Sequence, residues 1–263
     1  MSGGFRMTIK TIAATLCVVG ALGAAPQALA AGGAGHVDDY AFTFEGPFGY
    51  YDRDQLQRGL QVYTEICAGC HGLQYVAFRD LAALGYSDDE IREYAKLYFV
   101  PDTGPEAFPG DEREALPTDK FPGSMLENAP DLSLMAKARA GFHGPYGTGI
   151  NQFVQGMGGA EYITSLMMGY SGSEKEEAGV ILYDNEAYGG YLAMGQQIWG
   201  DDVEYADGTP ATQEQISRDI AAFLMWTAEP KLEQRKTAGL TAVLFLSLLT
   251  VLLYLTNKKI WSP

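Results

Sequence analysis

Apolar residues fall into three kinds of run along this chain, and each predicts a different element. The first covers residues 11–25, behind Arg6 and Lys10 and ahead of Ala28-Leu29-Ala30. A positive start, a short apolar stretch studded with Gly and Ala, and a small-residue triplet are the order of a secretory signal cleaved near Ala31; the stretch is too short for a comfortable membrane anchor. Residues 31–51 are Gly-rich and aromatic, with Pro47 among them, which argues for a wrapped arm without regular structure. The second kind of run is periodic. Leu56, Leu60, Tyr63 and Ile66 recur at helical spacing and predict an amphipathic helix over 54–67.

Further helices are expected at 88–97 and 161–168, and at 213–227 with Ile216, Ile220, Phe223, Leu224 and Trp226 on its apolar side and Pro230 beyond its end. Asp131 or Ser133 is a candidate cap for a helix holding Leu134, Met135 and Arg139. Residues 101–130 read as a long Pro- and Gly-rich loop, a length that is usually functional or packed over something. Glycine breaks regularity over 141–159, and 171–207 reads as loop with room for a short β-hairpin.

The third kind of run is continuous: residues 238–256 carry no charge, about the twenty apolar residues needed to cross a bilayer. Lys258, Lys259 and Trp261 follow it as a cytoplasmic tail would. Lys231, Arg235 and Lys236 on the other side blur the charge rule, so export of the N-terminus sets the orientation. With no internal repeat, the chain divides into a signal at 1–30, one mostly helical exported domain at 31–236, a span at 237–256 and a tail at 257–263.

Charge narrows the class of partner. Loss of the signal takes the formal charge from −15 to −17, since Arg6 and Lys10 leave and no acid does. Such a chain lacks the basic footprint that nucleic acid requires, while it can steer a basic partner. Cys17 leaves with the signal, so Cys67 and Cys70 are the cysteines that remain. A disulfide between them would close a very small loop and constrain the unfolded chain little.

Cys67-Ala68-Gly69-Cys70-His71 is a C-x-x-C-H sequence, in which two thiols can add to the vinyl groups of a haem while the adjacent imidazole reaches its iron. A zinc site would need two more ligands, and His36 and His143 stand in Gly-rich stretches without ligand-like spacing. A thioredoxin-type dithiol would want a βαβ context, which the pattern does not offer. For the iron's sixth position, methionine is the natural candidate. Met135, Met167, Met168 and Met225 fall in expected helices, where Met is more often core filler. Met125, Met157 and Met194 lie in loops, and Met194 has small neighbours that let backbone approach a flat ring; residue pattern alone leaves these open.

Several longer segments carry a family resemblance: CAGCHGLQYVAF at 67–78, Pro130-Asp131-Leu132-Ser133 leading to Ala138-Arg139, Glu161-Tyr162 through Gly169-Tyr170, VEYADGTPAT at 203–212 and FLMWTAEPKLEQR at 223–235. With the C-terminal span, these closely resemble cytochrome c1, the haem subunit of the cytochrome bc1 complex (ubiquinol–cytochrome c reductase), in its α-proteobacterial form. The resemblance implies a mainly α, class I cytochrome c-like haem domain with long loops, in which the helix before the haem motif crosses the helix at 216–227. It implies one haem c with His71 and Met194 as axial ligands, Arg139 at a haem propionate, and Pro130 and Tyr162 near the haem. It also implies a non-catalytic redox subunit in a dimeric complex of the bacterial inner membrane. Its partners there are cytochrome b, the Rieske iron–sulfur protein and a soluble or membrane-tethered cytochrome c, which Asp201, Asp202 and Glu204 could guide. The chain departs from the family in having Gly195 where relatives often have proline soon after the ligand methionine, and in lacking an extra cysteine pair that some bacterial relatives have. Three rivals remain at this stage: another anchored monohaem cytochrome, a haem sensor or enzyme with an open iron, and a tethered interaction module without haem.

Overall fold

Helix α1, Arg53–Val62, begins where the Asp52 carboxylate accepts hydrogen bonds from the Asp54 and Gln55 backbone N–H groups, two donors that a helix start leaves unpaired. The computed structural model describes residues 35–105, 107–139 and 157–261. The expected signal at 1–30, most of the glycine-rich 141–159 stretch and His143 lie outside them. Leu56, Gly59, Leu60 and Val62 form the buried stripe of α1, as the spacing predicts. The helix does not stay regular to Cys67. Tyr63–Cys67 is a π turn, with the Ala68 N–H reaching the Tyr63 carbonyl at 2.8 Å. A π turn adds a residue to the repeat, so it shifts the face on which the cysteine emerges.

Helix α5, Gln213–Ala228, is capped by the Thr212 hydroxyl, which accepts from the Gln215 N–H. It is buried on all sides from Asp219 to Thr227 and so forms the centre of the core rather than an amphipathic edge. α1 crosses it at Gly59, where a Cβ would stand 2.2 Å from the Asp219 carbonyl oxygen and 2.5 Å from Phe223 Cβ; only glycine allows this approach. Beside the crossing, the fully buried Asp219 carboxylate is met by Arg58 Nε at 2.9 Å, and Arg58 Nη1 also reaches Asp207 at 2.8 Å. A carboxylate out of water needs such a partner.

The segment between α1 and α5 supplies the remaining layers. A 3₁₀ turn at Phe78–Leu84 leads to α2, Asp88–Ala95, whose start is a capping box of Ser87 and Glu90. The stretch read as one irregular loop carries a small two-stranded antiparallel sheet, β1 Phe99–Pro101 with β2 Glu112–Glu114. It closes over an aromatic cluster in which the Phe78 and Phe121 rings stand 4.3 Å apart, with Tyr94 and Tyr98 against them.

α3, Met135–Ala138, corrects the expected capping: Leu134 precedes it, no side chain caps it, and Arg139 falls just beyond its end. The oxygens of Asp131 and Ser133 are engaged elsewhere. α4, Gly159–Met168, abuts α3 at Gly159, whose Cβ would stand 1.6 Å from the Ala136 carbonyl oxygen. After it, β3 Tyr170–Glu177, β4 Val180–Asn185 and β5 Gly190–Leu192 form an antiparallel sheet in that order, more than the short hairpin expected. β3 is exposed and polar along nearly its whole length, so it has no alternation to read.

α6, Leu232–Ile260, starts before the uncharged run because Leu232 is buried against the haem-motif domain. Its apolar window is wholly exposed, with mean hydropathy 2.3, and it is long and apolar enough to cross a membrane. A helix buried in a soluble core would hide that surface.

Candidate functional site

One turn of backbone gathers the three motif residues. The N–H groups of Cys70 and His71 both converge on the Cys67 carbonyl, at 3.1 and 3.0 Å, so two thiols and an imidazole issue from a single closed loop. Tyr63, on the π turn, donates its hydroxyl to the His71 carbonyl at 3.0 Å. Burial, with Cys70 adding to it, pushes the Cys67 thiol up to about 12, so it is a thiol and not a thiolate at neutral pH. No group of three metal-ligating side chains occurs among the described residues.

His71 has its tautomer set. Nδ1 lies 2.8 Å from the Pro130 carbonyl oxygen, a bond in which Nδ1–H donates and Nε2 keeps its lone pair for an iron. Pro130 is held in turn by a backbone stitch between the segment after the motif and the Pro-Asp-Leu-Ser segment. Leu132 N–H donates to the Gly72 carbonyl at 2.8 Å, Gln74 N–H to the Asp131 carboxylate at 2.9 Å, and Tyr75 N–H to the Ser133 hydroxyl at 3.1 Å. This is where the expected helix caps spend their oxygens. Gly72 lets the 122–124 chain pass close, since a Cβ there would lie 2.3 Å from the Gly123 carbonyl carbon.

A second group forms around α4. Burial raises the pKa of Tyr162, and the nearby Arg139 guanidinium opposes that rise. The α3–α4 contact at Gly159 brings these two together. Tyr170, at the start of β3, has its pKa raised by burial and then by Tyr162, and it donates to the Met194 carbonyl at 2.9 Å. Met194 lies two residues beyond the end of β5 and is half-buried. A Cβ on Gly195 would meet the Tyr183 ring at 3.2 Å, so an aromatic wall stands against the loop at this residue.

The other methionines are placed differently. The Met168 sulfur accepts from the Tyr40 hydroxyl at 3.6 Å, Met225 is buried in the core and Met125 is 74% exposed. Met135 and Met167 pack on the core, and Met157 lines a cavity with Phe44 and Met225. A larger cavity, about 790 Å³, opens between α1 and α2 around Leu60, Thr64, Tyr94 and Leu97. None of the expected site residues lines it. Sequence reading missed Tyr63, Tyr170 and the positioning use of Asp131 and Ser133; the Pro-Asp-Leu-Ser motif was visible, but not what its oxygens face.

A C-x-x-C-H turn with its histidine tautomer fixed, on a helix that crosses the central helix at a glycine, defines the class as a c-type cytochrome. The Cytochrome C1 family matches residues 42–263, and the chain belongs to that family, with which a c-type haem goes. Cytochrome c1 of Cereibacter sphaeroides is 48% identical, over 94% of this chain and 95% of its own. Cytochrome c1 of Rhodobacter capsulatus is 43% identical, over 87% and 90%. A protein named cytochrome b/c1 from Bradyrhizobium diazoefficiens is 36% identical over 97% of this chain, which spans 40% of that longer protein.

Proposed function

We propose that this chain holds one haem c, bonded to Cys67 and Cys70 and ligated by His71 Nε2 and Met194, and passes electrons from a Rieske iron–sulfur protein to a cytochrome c within a cytochrome bc1 complex. The observation that carries this reading is the His71 Nδ1 to Pro130 carbonyl contact at 2.8 Å, in the same closed turn as both thiols. A haem c bound there supplies a one-electron iron couple. The chain's own residues do the rest. His71 presents a neutral, oriented imidazole, and Met194 adds a thioether, a ligand pair that raises the potential. Arg139, close to Tyr162, would meet a propionate with its guanidinium, the pairing that a carboxylate in low dielectric requires. This role requires no residue that makes or breaks a substrate bond; on this reading the chain is the redox subunit of a quinol–cytochrome c reductase rather than an enzyme alone.

The reading includes the membrane and the partners. Residues 1–30 are a cleaved signal, 31–236 the periplasmic domain, 237–256 the span and 257–263 a cytoplasmic tail. The existence of a single-chain cytochrome b/c1 relative supports cytochrome b as the neighbour of α6, in a dimeric inner-membrane complex. The acidic turn holding Asp201, Asp202 and Glu204 is a face for a basic cytochrome c.

The test is carbon monoxide titration of the ferrous protein, wild type beside Met194→Leu, with denatured samples checked for retained haem. The expected outcome is haem that stays on the denatured chain, no carbon monoxide binding in wild type and ready binding in the variant. Ready binding by wild type would mean an open iron and would sink the His–Met assignment. Co-purification with b-type haems separates the bc1 subunit from an independent anchored cytochrome.

A further inference from the structure

The N-terminal arm contains a tightly closed loop beside the start of α6. Glu45 N–H donates to the Phe42 carbonyl at 3.3 Å and Tyr50 N–H to the Thr43 carbonyl at 3.0 Å. Gly46 has φ +64°, and a Cβ on Gly49 would stand 2.1 Å from the Glu45 carbonyl oxygen, so both glycines are needed for this shape. Phe42, Phe44 and Tyr51 are buried, with the Phe42 and Phe44 rings stacked at 4.9 Å.

The loop is tied to α6 at both ends. Tyr51 N–H donates to Glu233 Oε1 at 2.7 Å, and Lys236 Nζ donates to the Phe44 carbonyl. Between these ties, Phe48 is 77% and Tyr50 60% exposed. Two large aromatic side chains turned outward from an ordered loop, beside an exposed apolar helix, form a surface that water does not favour.

The ties also set the loop's height. After Lys236 the next charge along α6 is Lys258, 22 residues on. At about 1.5 Å per residue that is about 33 Å, against about 30 Å of bilayer hydrocarbon. Lys236 therefore sits at the level of the lipid headgroups, and the Phe44–Tyr51 loop sits beside it. Aromatic rings favour that boundary.

We propose that the 45–50 loop is a second membrane contact, with Phe48 and Tyr50 seated in the headgroup and upper-chain region of the bilayer beside α6. A single helix leaves the attached domain free to swing about the helix axis. A loop dipping into the interface at the same level removes that freedom and fixes the tilt of the Cys67–His71 turn over the membrane. The inference rests on α6 spanning the bilayer.

Photo-crosslinking of the wild-type protein in its assembled, membrane-embedded complex tests both points. Two phosphatidylcholine probes are used, one with a diazirine near the glycerol and one with it at the chain terminus, and adducts are mapped by peptide mass spectrometry. The expected result is adducts on Phe48 and Tyr50 with the first probe, several-fold above those on the exposed Val180–Ile181 pair of the β-sheet, and their loss with the second. α6 is expected to react with both. Adducts on α6 but none above the Val180–Ile181 level on Phe48 and Tyr50 would overturn the loop contact, whether water or another subunit covers it. No adducts on α6 would overturn the spanning helix instead.

Discussion

The two sides of the candidate haem site are built to different standards. On the histidine side, His71, Cys67 and Cys70 sit in a turn closed by its own backbone, braced by Tyr63, and stitched through Leu132, Asp131 and Ser133 to the segment that carries Pro130. Behind it lies the α1–α5 crossing with its buried Arg58–Asp219 pair. On the methionine side, the Met194 backbone is held by Tyr170, and Gly195 rests against Tyr183. Many short-range bonds that must break together give a rigid element, whereas one hydrogen bond contributes about 1 kcal/mol. The difference predicts where the site yields first: the methionine side should open before the histidine side unfolds.

The largest break of this contrast is Arg58→Met. It leaves the buried Asp219 carboxylate without its cation, with the Gln215 amide still donating to it, and is expected to cost about 3–5 kcal/mol, unfolding both sides together. Thermal melts followed at the haem band and by far-ultraviolet dichroism should shift down in step; a haem-band shift alone would separate the crossing from the global fold.

Glu161 sharpens the contrast from α4, which lies between the two sides. Its carboxyl is buried, and burial, followed by the neighbouring Glu45 carboxyl, raises its pKa. Glu45 Oε1 is buried as well and has no hydrogen-bond partner among the described residues. The folded state then holds a proton that the unfolded chain loses near the usual carboxylate pKa of 4.5. The sign follows: this stability is full below that value and is lost as pH rises through the folded pKa. Glu161→Gln should flatten the decline between pH 5 and 8, worth about 1–3 kcal/mol at the upper end. Parallel pH profiles for the two proteins would dispose of the proton held at Glu161.

Tyr170→Phe removes the bond to the Met194 carbonyl and is expected to cost about 1 kcal/mol. Its signature should be local: faster carbon monoxide entry at the ferrous iron with little change in the global melt. An equal loss in both would show that the methionine side does not open on its own. Gly195→Ala is the mildest probe, since the Tyr183 ring needs to yield by only a few tenths of an ångström. A fall of less than about 1 kcal/mol in the same carbon monoxide assay is expected, and a larger one would show that the ring cannot move.

Much of this molecule follows from its sequence alone. The C-x-x-C-H turn, the helices around Leu60 and Ile220, the C-terminal apolar run and the family resemblance are local signals, each written in a short window by spacing or composition. The haem class and the helix that can cross a membrane come from them. What tertiary structure decides is every relation between distant segments. Gly59 reads as an unremarkable helix residue until α5 is laid across it, and Asp131 and Ser133 read as helix caps until the 72–75 backbone takes their oxygens. β3 carries no alternating pattern because neither of its faces is buried. Phe48 and Tyr50 are ordinary aromatics in sequence, and only the ties of the flanking Phe44 and Tyr51 to Lys236 and Glu233 set them beside the start of α6. The physical reason is common to all four: a residue's own pattern reports its propensity and burial, while the partner that fixes its role is chosen by packing across the fold.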